Sequence, residues 1–85
     1  MTKEQMLESY PDGEFLFLRG FDDAIVGVAI SHGNYVPCYS MKKMVDALVQ
    51  DHDMTSDEAL EFLEFNTFYA HFGTATPVYL EDING

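Results

Sequence analysis

The sequence predicts an α+β fold: a small antiparallel sheet of three to four strands packed against two main α-helices. Strand-length apolar runs, Glu14–Leu18, Ala24–Ile30 and Tyr35–Tyr39, follow one another across short turns rich in Gly, Asp and Asn. That is the pattern of hairpin-connected strands. Two later stretches, Met41–Leu48 and Met54–Gly73, repeat apolar residues every three or four positions, the period of a helix with one buried face. A last short run, Thr76–Leu80, returns to strand character.

One domain is expected over residues 1–85, since two cores in 85 residues would each be too small to bury enough surface. Hydrophobic residues make up 47% of the chain and aromatic residues 14%, a composition that argues against disorder. Fifteen acidic residues against four basic ones leave a net charge of −11. That balance opposes direct binding to DNA or RNA, which needs Lys and Arg to neutralise phosphates. It also opposes anionic membrane surfaces. Two readings of the charge stay open, a solubilising surface or an anionic face that docks on a basic partner. The single cysteine, Cys38, excludes an internal disulfide and a cysteine-based zinc site. The start MTKEQMLESYPDG holds no apolar run, and no segment approaches the roughly 20 apolar residues of a membrane span, so a cytoplasmic location is expected.

In chain order, residues 1–10 can form a short helix capped by Thr2, with Met6 and Leu7 facing inward. Pro11-Asp12-Gly13 ends it in a turn, proline presetting φ and glycine accepting a positive one. Glu14–Leu18 is apolar on both faces and is expected inside the sheet. Asp22 and Asp23 lie in a turn before AIVGVAI, whose small residue Gly27 suits close approach of another element. Ser31–Asn34 turns the chain into the strand Tyr35–Tyr39. Pro37 cannot donate to a ladder, so that strand is expected at an edge, in an antiparallel meander.

Ser40 is placed to cap the first main helix, whose Met41, Met44, Val45 and Leu48 form one inward stripe. Lys42 and Asp46 can pair on its outer side, worth about 0.3 kcal/mol. Its end, Asp51-His52-Asp53, is polar and carries no evident cap. The second helix opens with a capping box, Thr55 and Glu58, and Gly73 supplies a stop. On a regular wheel Ala59, Leu60, Phe62, Leu63, Tyr69 and Ala70 share one arc, with Asn66 in its middle. Asp57, Glu61, Glu64 and Phe68 fall opposite. Asn66 is thus expected buried and hydrogen-bonded to a nearby loop, and replacing it by leucine is expected to destabilise by about 1–3 kcal/mol. Thr55 and Asn66 are the structural polar residues of this reading, and residues 81–85 are a loose tail.

No catalytic, cofactor or metal signature emerges. His32, His52 and His71 fall in a turn and two helix ends, and neither Cys38 nor a carboxylate stands at a nucleophile–base spacing from them. Asp51-His52-Asp53 and Asp22-Asp23 have metal-like composition without ligand spacing, and helix-end and turn chemistry accounts for both. Phe68, beside Asp57, Glu61 and Glu64 and one turn from Phe72, makes an aromatic spot rimmed by carboxylates. Such a patch suits docking on a basic, apolar surface. The alternative keeps Phe68 packed under the tail.

The segments GFDDAIVGVAISHG (Gly20–Gly33), MTSDEALEFLEFNTFYAHFG (Met54–Gly73) and TPVYL (Thr76–Leu80) resemble a family of short uncharacterised bacteriophage proteins. In that family a GFDDAI-GV strand entry, an M-EEA-E--EFN helix and a G--TP close recur in this order. The resemblance spans roughly residues 11 to 80 and implies a phage-encoded accessory protein in the host bacterial cytoplasm. It makes Asp22, Asp23, Glu61, Glu64, Asn66 and Gly73 part of the family pattern, for fold or for function.

Two function classes follow, with no enzymatic activity expected from either. The first is binding to a host protein, inhibiting or modulating a nucleic-acid-handling or defence factor with a basic cleft, through Asp57, Glu61, Glu64 and Phe68. The second is a self-associating phage component, a homodimer through Phe68 and the edge strand at Pro37. A metal-dependent enzyme using Asp22, Asp23 and a histidine is the weakest reading, because no ligand spacing supports it.

Overall fold

The computed structural model describes residues 2–11, 13, 15–71 and 73–81. Its first element, α1 (Lys3–Ser9), exists because Thr2 and Gln5 cap it reciprocally. Thr2 Oγ1 accepts from the Gln5 amide at 3.2 Å, and Gln5 Oε1 accepts from the Thr2 amide at 2.8 Å. Met6 is fully buried, whereas Leu7, expected inward with it, is half exposed. A seven-residue helix buries one narrow stripe, and adjacent residues stand 100° apart on it.

The run Glu14–Leu18 is not a strand where it is described, over Phe15–Leu18, and Glu14 itself lies outside the described residues. Its side chains serve packing instead of pairing. Phe15, Phe17 and Leu18 lie against the core, with the Phe15 and Phe17 rings 5.7 Å apart. The Leu18 amide donates to the buried Tyr39 hydroxyl at 2.8 Å, so a side chain supplies the acceptor that a ladder would have provided. Asp22–Ala24 then makes a short 3₁₀ turn.

The sheet has three strands among the described residues, β1 (Ile25–Ser31), β2 (Asn34–Ser40) and β3 (Val78–Leu80), in that spatial order. The β1–β2 hairpin is antiparallel, closed through His32 and Gly33 at φ 52° and 78°, with a bulge between Ile25 and Gly27. The β2–β3 pair is parallel, matching Cys38 with Val78 and Ser40 with Leu80. The sheet is therefore mixed, not an antiparallel meander. Parallel neighbours need a long crossover, and here the two main helices provide it.

This topology also moves Pro37 from the expected edge to the central strand, where it is buried. Ladder pairing with β3 begins one residue later, at Cys38. Pro37 therefore sits where β2 pairs only with β1, and its missing amide leaves no gap in the β3 ladder.

Ser40 is at once the last residue of β2 and the cap of α2 (Met41–His52), its Oγ accepting from the Lys43 amide at 3.2 Å. Met44 and Leu48 are buried and Val45 partly so, as the stripe predicts. The end of α2 is not capless: Asp53 takes the left-handed conformation, φ 53° and ψ 29°, that commonly terminates helices. Then α3 (Ser56–Leu63) begins and passes directly into a π-helical turn, Glu64–Phe68. Met6, Ile25, Tyr39, Met44, Ala59 and Leu63 form the centre of the core between sheet and helices. Of the tail expected to be loose, only Glu81 is among the described residues.

Candidate partner-binding surface

The surface is carried by α3 and the turn that follows it. The start of α3 is the predicted capping box: Thr55 Oγ1 accepts from the Glu58 amide at 3.1 Å, and Glu58 Oε1 accepts from the Thr55 amide at 2.9 Å. The Thr55 amide, and with it the Thr55 hydroxyl, holds the Glu58 carboxyl below its usual range. Asp57 and Glu58 in the first turn also complement the positive end of the helix dipole.

The inward side is set by Ala59 and Leu63, both buried and four residues apart. Beyond Leu63 the turn widens. A π turn takes one residue more than an α turn, so the next inward position is Phe68, five residues on. Phe68 is half-buried against the core, its ring 5.0 Å from that of Tyr79. This corrects its placement in the acidic outer row: Phe68 packs inward on β3, and the tail under which the alternative placed it lies, beyond Glu81, outside the described residues.

The same phase change corrects Asn66. It is exposed, not buried, and its Nδ2 donates to the Phe62 carbonyl at 2.9 Å, four residues back. The bond lies at the junction of α3 and the π turn, where the regular backbone ladder is interrupted. Phe65 and Tyr69 are turned out with it, 80% and 82% exposed. Leu60 and Phe62 are partly exposed beside them. Phe72, the other aromatic of the predicted spot, lies outside the described residues.

Of the expected contact residues, Asp57, Glu61 and Glu64 are all exposed on this helix. Their aromatic neighbours are Tyr69, which a regular wheel puts in the buried arc, and Phe65, which it leaves between that arc and the acidic row. The available signal was crowding: Phe62, Phe65, Phe68 and Tyr69 are four aromatics within eight residues. A helix with only Ala59 and Leu63 at its buried centre cannot cover them all.

Phe62 also edges a groove of about 200 Å³ between the helices, lined by Phe21, Leu48, His52 and Arg19. Of the four basic residues, none lies on α3. Lys3 pairs with Asp22 at 3.4 Å and stands over the Phe17 ring at 5.3 Å. The face thus combines large apolar side chains with carboxylates.

The remaining candidates are dispersed. His32 sits in the hairpin turn with Nδ1 3.1 Å from Ser31 Oγ, His52 ends α2, and His71 follows the π turn. Cys38 is partly buried in β2. Among the described residues no three His, Cys, Asp or Glu side chains gather in a way that could hold a metal. No described helix is long and apolar enough to cross a membrane. In comparisons with protein families, curated proteins and solved structures, nothing matched this chain.

Proposed function

We propose that this chain is a phage-encoded accessory protein that acts by binding a host protein, through the outward face of α3 and its π turn. The observation that carries the reading is the exposure of Phe65 and Tyr69, at 80% and 82%, beside the carboxylates of Glu61 and Glu64. Large aromatics left in water are the side chains that anchor interfaces when a partner desolvates them. Carboxylates around them select a basic partner and speed encounter with it. A host factor with a nucleic-acid-binding cleft has that chemistry, Lys and Arg interspersed with stacking surfaces. Asp57, Glu61 and Glu64 keep the role expected of them, and Phe65 and Tyr69 take the place of Phe68.

Capture from bacterial lysate, comparing the native chain with Phe65→Ser and Tyr69→Ser, tests the reading. A host protein retained by the native chain at low salt, released at high salt and lost from both variants is the expected result. Equal retention by native and variant chains would refute it.

A further inference from the structure

The second surface without a partner is the outer edge of β1. It is the first strand in the order β1-β2-β3, and among the described residues no loop makes a backbone hydrogen bond to Val26–Ser31. Natural edge strands are usually protected by charge, proline or brevity. This one has seven residues, Ile25-Val-Gly-Val-Ala-Ile-Ser31, with no charged side chain and no proline. The bulge at its N-terminal end is its only such device.

We propose that this edge pairs with the same edge of a second copy, antiparallel about a two-fold axis at Val28, joining the two three-stranded sheets into one. In that register Ile30, 74% exposed, lies opposite the partner copy's Val26, 37% exposed, and the contact occurs twice by symmetry. These are the only two large apolar side chains of β1 exposed in the single chain, and the pairing covers both. The strand ends also carry groups that can hydrogen-bond across the pair. His32 follows β1 and Asp23 precedes it, so in this register His32 of each copy falls opposite Ala24 of the other, one residue from its Asp23. Asp22 is already engaged by Lys3, whereas Asp23 is exposed in its turn. The carboxylate row of α3 belongs to a different element and is left free to meet another protein.

Salt separates this association from the one proposed above. Two copies of net charge −11 repel over long range, and screening relieves that repulsion while leaving strand pairing intact. Self-association therefore strengthens with salt, whereas docking of the acidic face on a basic partner weakens.

Sedimentation of the full chain over a range of concentrations, at low and high salt, tests the proposal. The expected result is a monomer–dimer equilibrium that tightens with salt. Ile30→Lys should weaken it at least about tenfold, because a lysine on an edge opposes pairing. His32→Asp should weaken it in the same direction, aspartate being tolerated at the positive φ of that position. Phe65→Ser should leave it unchanged. A monomer at every concentration and salt would overturn the proposal. So would a dimer indifferent to both edge variants, or one abolished by Phe65→Ser. Far-UV circular dichroism confirms that each variant is folded; if Ile30→Lys is not, His32→Asp decides alone.

Discussion

The Phe68 ring lies 5.0 Å from the Tyr79 ring, their planes inclined by 55°, and so joins the helical layer to β3. Tyr79 in turn stands 6.3 Å from Tyr39 on the central strand. This three-ring contact depends on the π turn. Continued as a regular α-helix, Leu63 would be followed inward by Asn66 and Thr67, placing an amide where Phe68 now packs.

Phe68 and Phe65, three residues apart, should therefore respond oppositely to truncation. Phe68→Ala is expected to cost about 2 kcal/mol or more, from lost burial and the cavity beside Tyr79. Phe65→Ala should stay within about 0.5 kcal/mol, the range of exposed positions. Urea denaturation of the two variants measures both.

Tyr39 and Tyr79 provide a second contrast. Tyr39 accepts the Leu18 amide at 2.8 Å, while the Tyr79 hydroxyl is buried without a partner among the described residues. Tyr39→Phe orphans a backbone donor and should destabilise by about 1–3 kcal/mol. Tyr79→Phe removes an unsatisfied group and should be neutral or stabilising. Burial pushes both phenols above their ordinary value of 10.0. The unfolded chain thus ionises first as pH rises, and stability present below pH 10.0 should fall through the folded values. Alkaline unfolding curves of the native chain and Tyr79→Phe check the sign, the variant losing less.

At the other end of the scale, Glu58 is held below its ordinary value of 4.5 by Thr55. Its contribution should be complete above pH 4.5 and should disappear as pH falls through the lower folded value. Thr55→Ala removes the hydroxyl and should cost about 1 kcal/mol at neutral pH. Glu58→Gln keeps a capping acceptor without the titration, so its stability relative to the native chain should improve as pH drops. Thermal melts between neutral and acidic pH decide this.

Asn66→Leu becomes a mild substitution. An exposed amide bonded to one carbonyl contributes about 0.5–1.5 kcal/mol, and leucine leaves the Phe62 carbonyl accessible to water. Partner capture, in contrast, should be lost when Glu61 and Glu64 are both reversed to lysine, with chemical denaturation confirming that the fold is retained.

Much of the fold was legible because its signals are local. Thr2, Ser40 and Thr55 cap the helices they precede, and a side-chain acceptor three residues from an amide is a matter of sequence spacing alone. The Met44–Leu48 stripe and the turn within Ser31–Asn34 are equally local, although the turn residues are His32 and Gly33 and Asn34 already belongs to β2. What was misread rests on contacts distant in sequence. Phe15–Leu18 has the composition of a strand, but whether it pairs depends on an acceptor at Tyr39, 21 residues away. Pro37 argues for an edge only until β3 is found to begin its pairing at Cys38.

Local patterning specifies an acidic α+β chain with capped helices, a β-hairpin and a carboxylate row on α3. Long-range packing selects which aromatic side chains that row accompanies. One extra residue in a helical turn is nearly invisible in composition, yet it rotates everything after it. Packing against Tyr79 selects the phase that turns Phe68 inward, and the same rotation leaves Phe65 and Tyr69 in solvent.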